Sequence, residues 1–176
     1  MSYCSVAPAL EFHRDYHAKE YGFPIADDDG LFERLILEIN QAGLSWLTIL
    51  KKRESFRRAY DHFRVESVAG YRARDKARLL RDEGIIRNRL KIDAAVTNAR
   101  TILELRQRHG SFLAWLDAHH PRGRDEWVRL FRKTFVFTGG EITGEFLLST
   151  GYLAGAHEES CPIYRKVLRA KPRWLR

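Results

Sequence analysis

Within LFERLILEINQAGLSW, Leu31 to Trp46, the residues Leu31, Leu35, Glu38 and Ala42 follow one another at steps of four, three and four. On a helix those steps share one face, so Glu38 stands on the same inward stripe as the leucines. An ionised carboxylate taken out of water must be paired, be hydrogen-bonded, or face a cavity where a ligand arrives to pair with it. Two readings are open: a structural ion pair with one of the chain's many arginines, or a pocket acid. The residues that follow favour the second. Gln41, Gly43, Leu44 and Trp46 set an amide, a helix-ending glycine, a solvent-facing leucine and a large aromatic within a few residues of the acid. A carboxylate beside a flat aromatic suits a planar, preferably cationic, ligand.

A second constellation lies at the chain ends. The only two cysteines are Cys4 and Cys161, and each has a histidine nearby: His17 lies thirteen residues after Cys4, and His157 precedes Cys161 in an H-x-x-x-C arrangement. In an intracellular chain a disulfide between them would be reduced. Two thiolates and two imidazoles make a closed, tetrahedral structural zinc site with no open position for water. Such a site would pin the N-terminal segment to the C-terminal one; two unrelated buried thiols beside ordinary histidines are the alternative. His13, His62, His109, His119 and His120 have no comparable pairing.

The elements that must hold these groups read as helical almost throughout, with no strand alternation and no internal repeat. At 176 residues with 44% hydrophobic content and 12% aromatics, the chain suits one domain with a sizeable core or two small lobes. No apolar run is long enough to span a membrane, and MSYCSVAPALEFHRD lacks the regions of a signal peptide, so a soluble cytoplasmic protein is expected. Lysines and arginines exceed acids by 31 to 23, a net charge of +8, which favours a polyanionic partner, although no long single-sign block is present. The stretch to Pro24 shows no period and is expected to wrap over something. Asp27, Asp28 and Asp29 supply capping and first-turn acids for the Leu31 helix, which Gly43 ends. From Ser45, apolar positions at Trp46, Ile49, Leu50, Phe56, Ala59, Tyr60 and Phe63 fit one or two helices with basic outer faces, and a break follows near Arg64. Further helices are predicted from Phe112 to Ala118 and from Asp125 to Lys133, before a glycine-interrupted apolar stretch from Phe135 to Leu153.

In ARDKARLLRDEGIIRNRLKIDAAVTNARTILELRQRHG, Asp75 can cap a short helix through Leu80, Gly84 a left-handed turn, and Asn88 a long helix with its stripe at Ile92, Val96, Ala99 and Leu103. This is the helix-hairpin-helix plan, whose free backbone N–H groups can hold a phosphate, although an ordinary αα-hairpin reads much the same. Arg87, Asn88, Arg89 and Lys91 at the helix start favour the phosphate reading.

Together these residues resemble the 3-methyladenine DNA glycosylase I family, the Tag-type members of the helix-hairpin-helix glycosylases. The resemblance runs from Cys4 to about Tyr164 and rests on Cys4, Tyr16-His17 with YGFP, LEINQAGLSWLTILKKRESF, GIIRNRLKI with NAR, and the closing His157 and Cys161. It implies an all-α glycosylase domain over residues 1–176, with the helix-hairpin-helix at about 75–106 and zinc-linked segments at about 1–24 and 151–165. It implies Cys4, His17, His157 and Cys161 as ligands of a structural zinc ion. Glu38, the carboxylate of the active site, and Tyr16 would hydrogen-bond the excised base and Trp46 would stack on it. Gly43 and Leu44 would sit at the DNA wedge, and the Gly84 hairpin, with Arg87 and Lys91 beside it, would hold backbone phosphate. The implied activity is hydrolysis of the N-glycosidic bond of 3-methyladenine in double-stranded DNA by a monomeric enzyme that flips the base and leaves an abasic site. The family is understood to lack the catalytic aspartate of its helix-hairpin-helix relatives, so no acid is assigned to water activation.

Several positions depart from the family pattern. Val6, His13 and Tyr21 stand where aromatics, a tryptophan in the last case, are frequent, and Glu141, Gly144 and Glu145 replace threonine and aromatic residues. Extra carboxylates near a pocket would tighten binding of a cationic base or change which base is accepted. Two other classes stay open: a non-catalytic or differently specific damaged-DNA-binding homologue, and a basic helical interaction domain with no DNA role.

Overall fold

The computed structural model describes residues 2–176, and among them all regular structure is helical. The order is α1 (Tyr3–Val6), α2 (Glu11–Lys19), α3 (Asp28–Gln41), α4 (Trp46–Ala59), α5 (Val65–Ala69), α6 (Ala73–Arg81), α7 (Arg89–His109), α8 (Phe112–His119), α9 (Arg124–Thr134), α10 (Gly140–Ser149) and α11 (Tyr164–Arg169), with short 3-10 turns between some of them. No helix among the described residues is long and apolar enough to cross a membrane.

The three successive acids each close a different helix. Asp27 accepts from the Gly30 N–H at 2.8 Å and caps α3 itself. Asp28 accepts from the N–H groups of Phe112 and Leu113, both at 3.0 Å, and so caps α8 across the core, while Asp29 accepts from Val65 at 3.0 Å and closes the start of α5. Free N–H groups at a helix start carry partial positive charge, so a carboxylate is their natural partner. Arg106 of α7 clamps the cluster, with Nε 2.7 Å from Asp28 and a further ion pair to Glu66.

This lashing lets α3 run through the middle of the molecule. Leu31, Phe32, Leu35, Ile36 and Ile39 are fully buried, in one continuous core with Phe56, Tyr60, Phe63, Phe112, Phe131 and Phe146. Four polar side chains of the same helix, Asp28, Arg34, Glu38 and Asn40, are buried with them.

The α6–α7 pair is present, with Asn88 accepting from the Lys91 N–H as the cap of α7. Its turn differs from expectation. Gly84 does not take a left-handed conformation; it is small because a Cβ there would come within 2.9 Å of the Ser55 side chain on α4. Lys91 also differs. Its side chain is buried rather than solvent-facing, and Nζ donates to the carbonyls of Asn40 at 2.9 Å and Ala42 at 2.7 Å. Those oxygens lie at the C-terminus of α3, where carbonyls lack helical partners and a cation is favourable. Two of the three ammonium protons are therefore spent on joining α7 to the turn at Gly43.

Replacing Lys91 with Met keeps the stem and strands both carbonyls. The expected result is a loss of about 1–3 kcal/mol in urea unfolding; stability equal to that of the unaltered chain would show that these contacts do not hold the turn.

Candidate active site

The C-terminus of α3, the start of α4 and the inner faces of α2 and α10 enclose a cavity of about 270 Å³ lined by Tyr3, Tyr16, Tyr21, Glu38, Gln41, Trp46 and Glu145. Glu38, Tyr16 and Trp46, separated in sequence, meet here. Glu38 is 4% exposed, and among the described residues it has neither a hydrogen bond nor an ion pair; its carboxylate gives onto the cavity. Burial pushes its pKa up to about 8; the Arg34 guanidinium one turn back works against that rise, and Glu145 adds to it.

Arg34 does not pair with Glu38 because it is already committed. It donates to the Tyr16 hydroxyl at 3.0 Å, to the Ser149 carbonyl at 3.4 Å and to Glu20 at 3.1 Å, and its guanidinium lies 4.8 Å from the centre of the Tyr16 ring. Glu20 in turn binds Arg53 at 2.6 Å, Arg53 binds Glu33 at 2.7 Å, and Arg57 binds Glu33 at 3.0 Å. Burial opposes ionisation of Glu20, yet the surrounding guanidiniums hold its carboxyl below the usual range. Since Arg34 uses the Tyr16 oxygen as an acceptor, the phenolic proton is left to donate elsewhere. Burial keeps that phenol protonated. The Tyr16 and Trp46 rings sit 5.1 Å apart at 57°, forming two walls of the cavity. The Trp46 indole N–H is buried without a partner.

Ser45 caps α4 through the Thr48 N–H, and the preceding turn joins Gln41 to Trp46, two residues of the cavity lining. Gly43 takes φ +80° there, a backbone state that side chains disfavour, and Leu44 stands 40% exposed. Arg87 is exposed beside the start of α7, with only a loose 3.8 Å approach to Glu83, so of the hairpin's basic residues Arg87 faces outward and Lys91 inward.

Cys4, His17, His157 and Cys161 come together from the two ends of the chain, their ligand atoms all within 4.8 Å of one another. Cys4 Sγ and Cys161 Sγ lie 3.6 and 3.7 Å from His157 Nδ1, and Cys161 Sγ lies 3.7 Å from His17 Nε2. Ordinary zinc–sulfur and zinc–nitrogen bond lengths give a tetrahedron with sulfur–nitrogen edges of about 3.6 Å, so these four residues fit such an ion. His157 is oriented for the role: Nε2 donates to the Tyr21 carbonyl at 2.7 Å, leaving Nδ1 with its lone pair toward the cluster. Burial lowers the pKa of both imidazoles and keeps them neutral, the ligating form. The cluster borders the cavity, since His17 follows Tyr16 and Tyr3 packs edge-on against His17 and Tyr21 at 5.6 and 5.3 Å.

The sequence singles out Gln41, which lines the cavity, but gives no role to Arg34 as a support of the site or to Tyr3 as a cavity wall. Arg34 carried a signal: it stands three residues after Leu31 and four before Glu38, on their face.

Comparison with known proteins gives a consistent result. Residues 7–127 match the sequence model of a family described as methyladenine glycosylase. The chain is 44% identical over 168 residues to the DNA-3-methyladenine glycosylase 1 of Escherichia coli strain K12, covering 85% of this chain and 89% of that protein. It is 35% identical to the DNA-3-methyladenine glycosylase of Haemophilus influenzae, covering 84% and 90%. Among solved structures it is similar to 3-methyladenine DNA glycosylase I of Staphylococcus aureus, described for its recognition of 3-methyladenine, with a TM-score of 0.82, 32% identity and coverage of 93% of this chain and 96% of that one.

A partnerless carboxyl with a raised pKa has a definite signature. Between the unfolded value near 4.3 and the folded value of about 8 the folded state binds the extra proton, so stability falls as pH rises through that window. Glu38→Gln removes the term. The variant is expected to match the unaltered chain in acid and to exceed it by a few kcal/mol above about pH 8. A variant that is less stable at every pH would mean that Glu38 is a structural ion-pair partner.

Proposed function

The chain belongs to the methyladenine glycosylase family, and from that premise we propose how its cavity serves hydrolysis of the N-glycosidic bond of 3-methyladenine in DNA. The observation that carries the reading is Glu38, a buried carboxylate without a partner, opening onto a cavity walled by Tyr16 and Trp46. Methylation at N3 gives the adenine in DNA a positive charge and makes it a good leaving group. Flipped out of the stack, this flat cation supplies the charge that Glu38 lacks, and Glu38 ionises against it while accepting from its N–H groups. Trp46 takes the face of the base, and the Tyr16 proton, freed by Arg34, donates to an acceptor on its edge.

The reaction then needs little more from the side chains. Water bonds to the sugar carbon and gives up a proton, the glycosidic bond breaks, and its electron pair leaves with the base, which becomes neutral. No acid in the cavity is assigned to the attacking water. The neutral product no longer satisfies Glu38, which favours its departure.

On the DNA side, Leu44 at the φ +80° turn is the wedge that fills the gap left by the flipped base. Arg87 and the free N–H groups at the start of α7 take phosphate, the Gly84 N–H being already donated to Asp82 at 2.8 Å, with Lys91 holding that helix against the wedge turn. On this reading the enzyme is a cytoplasmic monomer acting on double-stranded DNA. The four Cys and His residues hold one zinc ion, whose contribution is to tie the chain ends together and keep Tyr16 facing the cavity.

Single-turnover incubation with alkylated DNA is expected to release free 3-methyladenine, and Trp46→Ala to slow release roughly fivefold to a hundredfold through lost stacking. No release by the unaltered protein would leave a damaged-DNA binder instead. Metal analysis of protein purified without chelators is expected to give one zinc per chain, with Cys161→Ser losing metal and stability together; metal-free protein of full stability would remove zinc from the account.

A further inference from the structure

We propose that Glu145 is a second base-reading carboxylate, which makes selection for positive charge a property of two acids lining one cavity from α3 and α10 rather than of Glu38 alone. The inference rests on the reading of the cavity as a base pocket. Glu145 projects from α10, half-buried, and lines the same cavity as Glu38 on α3. Its one side-chain partner is the Tyr21 hydroxyl, which donates to Oε2 over a long 3.4 Å.

The nearest cation comes from the start of α9 and is engaged elsewhere. Arg124 donates to Glu141 at 3.0 Å and lies so close along α10 that a Cβ at position 144 would meet its guanidinium at 2.8 Å. Gly144 therefore makes room for Arg124 to serve Glu141. Arg34, the other nearby cation, is taken by Tyr16, Ser149 and Glu20. The cavity lining thus holds two carboxylates and no cation. Two acids lining one space repel each other when both ionise, and a cation between them removes that repulsion and makes a charge-assisted interaction with each. A neutral base of the same shape gains only the neutral hydrogen bonds.

The test uses two free probes in equilibrium binding: 3,9-dimethyladeninium, which is permanently charged, and its neutral isostere in which carbon replaces the methylated ring nitrogen. Their ratio of Kd values reports charge selection and cancels contributions from shape and stacking. Glu145→Gln, which keeps size and hydrogen-bonding capacity, is expected to reduce the ratio about tenfold. Tyr21→Phe, which removes only the hydroxyl partner of Glu145, is expected to leave it within about twofold. An unchanged ratio in Glu145→Gln overturns the proposal, as does an equal fall in Tyr21→Phe, which would make Glu145 a support for Tyr21. The excision assay on alkylated DNA separates this from the underlying reading: a chain that binds the cation through Glu145 but releases no base fails as an enzyme while the charge clamp stands, and a chain that excises normally with an unchanged ratio keeps its function and loses the clamp.

Discussion

A carboxylate held out of water with no cation to pair it lowers the stability of any fold, and Glu38 is held so in the most buried helix of this one. Charge neutralisation was available nearby, since Arg34 stands four residues away on the same face. The chain instead ties Arg34 into an alternating series through Glu20, Arg53, Glu33 and Arg57. The buried cation has three hydrogen-bond partners and the buried anion is left with only the cavity. That asymmetry makes the site selective: a ligand that brings positive charge gains both its own contacts and the relief of a strained carboxylate, whereas a neutral one gains contacts alone.

Such a site survives only if its surroundings cannot relax around it. The first turn of α3 is fixed by Asp27, Asp28 and Asp29, which place its start against α8 and α5, and its last turn is fixed by Lys91 from α7. Tyr16 comes from α2, a helix joined to the rest through the Cys and His cluster and the Arg34 contact. Gly22, with φ +81°, donates its own N–H to the Ser149 carbonyl at 2.9 Å and leaves a Cβ no room beside Ala156. The pocket walls are thereby drawn from both ends of the chain and from its centre.

The sequence was most legible where apolar spacing and caps agree. The α3, α4, α7, α8 and α9 helices lie where their apolar spacing and, for α3 and α7, the capping residues Asp27 and Asn88 put them, and the Glu38 stripe has the burial its spacing requires. Helix α2 escaped because its buried positions are His13, Tyr16 and His17, polar rings that form no apolar stripe and owe their burial to the partners they meet. Gly84 was read for its backbone freedom, yet its smallness serves contact with Ser55, a tertiary fact with no local trace. Lys91 was read with its exposed neighbours Arg87 and Arg89 as a phosphate contact. Its place on one stripe with Ala95, Asn98 and Ile102, all buried, marked it as inward-facing.

The central claim is that the Glu38 carboxyl has no protein partner and waits for a cation, and the most direct measurement is its own titration. Carbon-13 NMR of protein labelled at the glutamate carboxyls, with the resonance assigned by its loss in Glu38→Gln, follows that group with and without a saturating charged purine. The account expects a midpoint near about 8 in the free protein and a marked fall when the cation binds. A midpoint near the ordinary value of about 4.3 in the free protein, unmoved by the ligand, would contradict it.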